Sequence, residues 1–298
     1  MRVLVTGTSG HVGGAIARHL IKCGINVIGL SRRLADINGL TRQIQADIGA
    51  TDFMRTVVCQ TEKCSAIVHA AACLNKDFYT PEVSLVNCFG THQLLALADH
   101  WKVENFVYIS GVNVIGKPQI HPITEDHPVE PSTDYLASKL YGERLVQIAN
   151  SCGISGAILR LSSPVGTNMP GMRVFSVFVR NALSNKAIQI LGRGTRKQNY
   201  VDARDVAKAV ETCLQQKVKG LFNIAGSKVI SNYELAQLSI RLLNSSAVIE
   251  FANKIDIEEG NIWDIAIAKA KSKINYKPRY SIEDSIHAVA EDYMHNAK

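Results

Sequence analysis

Short apolar runs bounded by turn residues alternate along this chain with longer stretches in which apolar positions recur every three to four residues. The runs at 2–5, 26–30, 42–46, 65–70, 105–110, 156–161 and 222–225 predict strands. Between them the helical period predicts helices at 12–22, 51–59, 82–101, 134–151 and 204–216. Strand and helix in alternation, with strands apolar on both sides, predict an α/β fold. Its centre is a Rossmann-type doubly wound parallel sheet covered on both faces. Two regions break the rhythm. Pro164, Gly166, Pro170, Gly171, Gly192 and Gly194 punctuate the stretch around 165–198, leaving one helix near 172–184 and a short strand at 188–191. Beyond about 230 come helices and a short strand at 248–251. The chain therefore predicts a larger unit built from 1–164 and 199–230, and a smaller α/β unit built from 165–198 and 231–298. The cleft between them, at the carboxyl ends of the strands, is where a ligand is expected.

Two motifs give that cleft its chemistry. Thr6-Gly7-Thr8-Ser9-Gly10-His11-Val12-Gly13 follows the apolar strand Val3-Leu4-Val5 and opens a helix. Gly7 suits a tight turn, Gly10 a close approach to phosphate, and Gly13 close packing of helix on strand; Thr6, Thr8 or Ser9 can add hydroxyls. The amides of His11, Val12 and Gly13 then face a pyrophosphate at the helix N-terminus. Mid-chain, Tyr135-Leu136-Ala137-Ser138-Lys139 sets a phenol and an amine one helical turn apart. The ammonium is expected to hold the phenol below its usual pKa of about 10, making Tyr135 the acid–base group and Lys139 its partner. A dinucleotide cradle with an acid–base tyrosine predicts hydride chemistry at an alcohol or ketone carbon.

The second strand ends in Ser31-Arg32-Arg33, where an acidic residue would bind the ribose of a cofactor lacking a 2′-phosphate. Forked, permanently charged donors there predict NADP, with NAD the alternative. Asp47, ending the third strand, is expected at the adenine edge. Ala70 and Ala71 are small enough to admit the cofactor ribose, and His69 is expected to be a packed core histidine.

Composition narrows the class. A chain of 298 residues, 46% apolar and 20% charged, is that of a soluble globular protein. Without an apolar run of about 18 residues or a signal peptide, a cytoplasmic location is expected. The seven cysteines are scattered and never spaced Cys-x-x-Cys, and most lie in apolar contexts, so buried free thiols are expected. The histidines show no metal-ligand spacing either, and no metal is expected. The net charge of +7 suits polyanionic small ligands. The basic residues are not interleaved with aromatics, which argues against nucleic acid.

Over essentially its whole length the chain resembles the extended short-chain dehydrogenase/reductase family of nucleotide-sugar epimerases, dehydratases and ketoreductases. The likeness rests on Thr6–Gly13, Asp47, His69-Ala70-Ala71-Ala72, Asn87 with Gly90-Thr91, Phe106–Ser110, Tyr135/Lys139 with Gly142-Glu143, Leu159-Arg160, Asn199–Asp205 and Phe222-Asn223. It implies a cofactor surface that also includes Ile48, Ala72, Asn87, Ser162 and Pro164, with Lys139 on the nicotinamide ribose. It implies a third catalytic group as well, a Ser or Thr hydroxyl on the substrate oxygen. Where relatives read Ser-Ser-x-x-Val-Tyr-Gly, this chain reads Ser110-Gly111-Val112-Asn113-Val114-Ile115-Gly116, with glycine at the hydroxyl position. Ser110 is then the candidate next door, and Asn113 a donor to substrate. Losing one such donor typically costs about 10²–10³ in rate.

The arginine that contacts a diphosphate in relatives is Gln198 here, so Arg196, Lys197, Arg173 and Arg193 become the candidates for substrate anions. Val112-Asn113 supplies no Asp-Glu pair for elimination. The resemblance and the arginine pair together imply reduction of a keto group on a nucleotide-linked sugar. The alternatives are a nucleotide-sugar 4-epimerase with retained NAD(P), and a non-catalytic NADP-binding sensor. Helices 82–101 and 134–151 resemble the pair that forms a dimer interface in relatives, and a homodimer is expected.

Overall fold

The computed structural model describes residues 1–74 and 81–296. The chain runs β1 (Arg2–Thr6), α1 (His11–Lys22), β2 (Asn26–Ser31), β3 (Arg42–Gln45), α2 (Phe53–Gln60) and β4 (Ala66–His69). A π-helical segment, Ser84–Phe89, leads into α3 (Gly90–Trp101), followed by β5 (Asn105–Gly111), a 3-10 turn Val112–Ile115, α4 (Asp134–Ser151) and β6 (Ser155–Leu161). Then come β7 (Ser163–Val165), α5 (Val174–Leu183), β8 (Ile188–Ile190), β9 (Lys197–Asp202), α6 (Ala203–Gln216) and β10 (Gly220–Ile224). The chain closes with β11 (Val229–Ser231), α7 (Asn232–Leu242), β12 (Ile249–Phe251), α8 (Ala268–Ile274) and α9 (Ile282–Asn296).

Among the described residues, seven strands form one sheet in the order β10-β6-β5-β4-β1-β2-β3, every pairing parallel. The order reverses between β1 and β4, which opens a crevice above the carboxyl end of β1. Alternate strand residues serve opposite faces. Val3 and Val5 of β1, with Val107 of β5, join Ile16, Leu20, Val206 and Val210 under α1 and α6. Leu4, Phe106 and Tyr108 face the other way, into a core with Leu94, Leu97 and Val146 beneath α3 and α4. That double coverage is why these strands read as continuous apolar runs.

A second core gathers α5, α7 and α9 around Phe175, Val179, Leu235, Ile286 and Tyr200. Beside it lie a three-stranded sheet, β11-β9-β7, and a two-stranded one, β12-β8. The expected assignment of all of 231–298 to the smaller unit needs amending, because Ala270, Ile274 and Tyr276 of the α8 region pack into the large sheet's core beside α6. Residues 297–298 of that stretch lie outside the described residues.

The helix expected at 82–101 is not uniform. Its first part is the π-helical segment, a widened turn often found at functional positions. A β-carbon on Gly90 would stand 2.7 Å from Ile48, so glycine lets this helix close on the β3–α2 connection. The cysteines are free, but only Cys64, Cys73 and Cys213 are buried; Cys23, Cys59 and Cys152 are exposed. Apolar neighbours in sequence misled there because helix faces, not local runs, decide exposure. No helix among the described residues is long and apolar enough to cross a membrane.

Candidate active site

The glycine turn sits at the carboxyl end of β1, at the crevice. Gly7 adopts φ +75°, and its missing side chain would meet the backbone of Ala71 at 2.8 Å. A β-carbon on Gly13 would lie 2.3 Å from the carbonyl oxygen of Gly7. Both positions therefore demand glycine: one for conformation and contact, the other for helix-on-strand approach. Gly10 N–H donates to Gly7 O at 2.9 Å, tightening the turn, and α1 has no side-chain N-cap. The amides of its first turn stay available to an anion, as a pyrophosphate requires.

The turn is held to β4 by a hydrogen-bond chain whose direction can be worked out. Thr91 Oγ1 donates to Asn87 O at 2.6 Å, so it accepts from His69 Nε2 at 2.9 Å. His69 Nδ1 is then bare and accepts from Thr6 Oγ1 at 3.0 Å, while Thr6 in turn accepts from Ala71 N at 3.1 Å. His69 is thus a neutral Nε2–H tautomer. Its pKa is driven well below the usual range by burial and by the neighbouring Lys139. It is a packed strut, as expected.

Asn87, expected on the cofactor, is a positioning residue. Its amide spans Cys73, both as acceptor at 2.7 Å and as donor at 3.0 Å, and donates to Ser138 Oγ at 2.9 Å. It fastens the Ala70-Ala71-Ala72 stretch to α4. Asp47 accepts from Gly49 N at 2.8 Å, which shapes the end of β3, and Ile48 is buried against α3.

Thr133 caps α4, accepting from Leu136 N at 3.2 Å, and so puts Tyr135 and Lys139 in its first turns. Gly142, two residues beyond Leu140 on the same helix, leaves room for the Tyr108 side chain, whose hydroxyl a β-carbon there would meet at 2.2 Å. The Lys139 amine lies 4.2 Å from the centre of that ring. Burial lowers the Lys139 pKa to about 7, against the pull of Glu143. Lys139, expected to depress the phenol, is not among the charges that lower the Tyr135 pKa. Burial raises the Tyr135 pKa, and the opposing, lowering charge is the guanidinium of Arg173 at the start of α5.

Ser110 departs from its expected catalytic role. Its hydroxyl donates to Glu143 Oε1 at 2.6 Å, and Glu143 is gripped bidentately by Arg160 at 2.9 and 2.8 Å, all three buried. The register that faces Tyr108 towards α4 also faces Ser110 there, into a structural ion pair. Asn113, by contrast, is an exposed residue in the 3-10 turn after β5, and its side chain reaches the space next to Gly111.

The opposite wall comes from the second core. His11 Nδ1 donates to Thr167 O at 2.9 Å, while its buried Nε2 has no partner among the described residues. Ser162, whose N–H donates to Ile224 O, has a buried hydroxyl that is likewise unpartnered, and Pro164 follows it in β7. A cleft of about 560 Å³ runs from Thr8, Ser9 and Gly10 past Arg18 and Leu34–Asp36 to Asn168, Gly171 and Arg180. Tyr135 and Lys139 do not line it.

A seven-stranded parallel sheet thus carries a glycine turn at its switch point, with a Tyr/Lys pair on the helix after β5. Residues 3–225 match the model of the NAD dependent epimerase/dehydratase family. The chain belongs to that family. It is 26% identical to the dTDP-D-glucose 4,6-dehydratase of Bos taurus, over 99% of this chain and 89% of that one. To the UDP-glucuronate 4-epimerase of Thermodesulfobacterium geofontis it is 27% identical, over 95% and 93%. Its fold matches the crystal structure of UDP-glucose 4-epimerase with UDP-glucose from Thermotoga maritima at a TM-score of 0.87, with 21% identity and full coverage of both chains.

As a member of the NAD dependent epimerase/dehydratase family the chain is an enzyme, and the NADP expectation loses its main support. Arg32 turns away to Glu82 at 3.0 Å, and Arg33 is exposed. Ser31 meets Thr8 Oγ1 at 3.2 Å and donates to Arg33 O at 2.6 Å. No ready-made 2′-phosphate clamp results. Arg196, expected on substrate, pairs with Glu258 at 2.7 Å; once the Gln198 amide is turned to its satisfied orientation, its oxygen accepts from the same guanidinium at 2.6 and 2.8 Å. Gln198 and Glu258 thus both hold the Arg196 guanidinium.

Beyond Thr6, whose hydroxyl was expected to bond, sequence reasoning missed the strut roles of Thr91 and Ser138 and of the Tyr108 ring under Lys139. The one available signal was polar residues at inward registers of otherwise apolar strands, as with His69 and Arg160.

Proposed function

We propose that this chain is a nucleotide-sugar epimerase that retains NAD and inverts the hydroxyl-bearing carbon at position 4 of a hexose. The observation that carries this reading is Tyr135 and Lys139 at the start of α4 with Gly111, Val112 and Asn113 opposite, a set with one acid–base phenol and no carboxylate pair for elimination. Names of family relatives, 4-epimerases among them, support it over the reductase expected from the arginine pair.

The glycine turn and the first amides of α1 would hold the pyrophosphate, Asp47 and Ile48 the adenine side, and Lys139 the nicotinamide ribose. Bound there, the dinucleotide supplies a hydride acceptor and donor. Tyr135 Oη takes the proton of the sugar hydroxyl and later returns one to the carbonyl oxygen from the same position. Arg173 favours the phenolate that the first of these steps needs. Arg196, held by Gln198 and Glu258, is the proposed contact for the nucleotide diphosphate.

The test is incubation of purified protein with UDP-glucose or UDP-glucuronate and NAD. The expected result is 4-epimer formation with no net build-up of reduced cofactor. Tyr135→Phe should lower turnover by about 10²–10⁴ while dinucleotide binding persists. Stoichiometric consumption of NADPH with a keto sugar would instead establish the reductase.

We also propose a homodimer through α3 and α4. Leu85 and Phe89, on the π-helical segment that leads into α3, and Tyr141 and Ile148 on α4 are exposed, Ile148 to 62%. Light scattering should give twice the chain mass, and Ile148→Asp should halve it.

A further inference from the structure

We propose a zinc site at the seam between α1 and α6, formed by His19 Nε2, Cys23 Sγ and a carboxylate oxygen of Glu211. His19 and Cys23 stand four residues apart, which brings both to one face at the C-terminal end of α1. Glu211, buried on α6, points its carboxylate at them. The three donor atoms lie within 4.8 Å of one another. They converge on a single point because it is Nε2 that meets both partners: Oε2 at 2.7 Å and Sγ at 3.7 Å.

The separations suit the ion. Tetrahedral zinc with bonds of about 2.1 Å to nitrogen and about 2.3 Å to sulfur sets those two donors roughly 3.6 Å apart. The nitrogen–sulfur distance already matches. The nitrogen–oxygen distance must open by about 0.7 Å, a side-chain rotation of Glu211. Nitrogen, thiolate and carboxylate together form a borderline donor set that favours zinc over calcium or magnesium.

Cys23 is exposed and His19 half-exposed, so the ion can enter from solvent and a water can complete the fourth position. Gln215 Nε2 donates to Glu211 Oε1 at 3.0 Å and would orient the ligating carboxylate. Without metal, Lys208 Nζ holds Oε2 at 2.7 Å. Its side chain is 42% exposed, and it swings out to solvent as the ion enters. Ligation forms a Zn–S bond and breaks the S–H bond, the proton passing to buffer. The ion then ties the C-terminal end of α1 to α6, two helices that cover the same face of the large sheet.

The test is titration of the whole, chelator-stripped protein with cobalt(II), then displacement with zinc. One equivalent of cobalt should give a thiolate-to-cobalt charge-transfer band in the near ultraviolet, and zinc should abolish it and raise Tm. Cys23→Ser should remove the band, and His19→Gln should weaken zinc binding at least tenfold. Lys208→Ala, which removes the competing ammonium at an exposed position, should tighten it. No band in the wild-type protein, a band that survives Cys23→Ser, or weaker zinc binding in Lys208→Ala would each overturn the assignment.

Discussion

The amide oxygen of Asn113 lies 2.5 Å from the point where a β-carbon on Gly111 would stand. A side chain at 111 would require the end of the Asn113 side chain, on an exposed residue, to move. Where a hydroxyl was expected beside Tyr135, position 111 carries none, and the side-chain amide two residues along, on the 3-10 turn Val112–Ile115, borders that space.

This relationship makes the effect of restoring serine non-additive. Gly111→Ser alone should not raise kcat, because its side chain must push Asn113 aside. Asn113→Ala alone should cost about 10²–10³ in kcat, the value of one preorganised donor. Gly111→Ser combined with Asn113→Ala should turn over faster than either single variant. Steady-state kcat for the four proteins settles the matter; simple additivity would sink the exchange.

Arg173 is the charge that opposes the effect of burial on Tyr135. Removing a cation disfavours the phenolate, so Arg173→Met should raise the Tyr135 pKa. In the direction that oxidises the sugar, the acid limb of the kcat profile should move to higher pH. A rise in KM with an unmoved limb would reduce Arg173 to a substrate contact.

Lys139 has its pKa lowered from near 10.5 to about 7 by burial. Between those values the unfolded chain binds a proton that the folded one does not, so stability rises with pH across this window. Below pH 7 the folded protein must carry the buried ammonium, at a cost on the order of 3–5 kcal/mol. Lys139→Met should therefore raise Tm most at pH 6 and progressively less towards pH 10, while abolishing turnover. Thermal unfolding across that range measures it, and a constant difference would refute the assignment.

The ion pair of Glu143 and Arg160 predicts where Ser110 matters. Ser110→Ala removes a hydrogen bond to a buried carboxylate and should cost about 1.5–3 kcal/mol. Arg160→Met leaves Glu143 without its cation and should cost about 3–5 kcal/mol. Urea unfolding reads both losses. If the serine variant keeps full stability and loses only kcat, Ser110 is catalytic after all.

Much of this could be read along the chain. Continuous apolar runs alternating with helical periods specify a parallel sheet, because a strand covered on both faces has no polar side to show. The glycine turn was legible as a motif of spaced glycines after an apolar strand, and Gly13 is closed off locally by Gly7, whereas the backbone of Ala71 that closes off Gly7 comes from 64 residues away. The Tyr135/Lys139 spacing likewise needs only helical geometry.

What the sequence alone determined, then, were the features set by neighbours a few residues apart: the strands, the turn at the N-terminus of α1, and the phenol one helical turn from the amine. The tertiary structure decided the rest. Only packing reveals that Ser110 meets Glu143 from 33 residues away, that Arg32 crosses to Glu82 over 50, and that Glu211 comes to His19 over 192. The charge state of a lysine or tyrosine depends on how much water the fold removes around it and which charges it brings within reach. Linear order holds neither quantity, because both arise when segments distant in sequence share one dry volume.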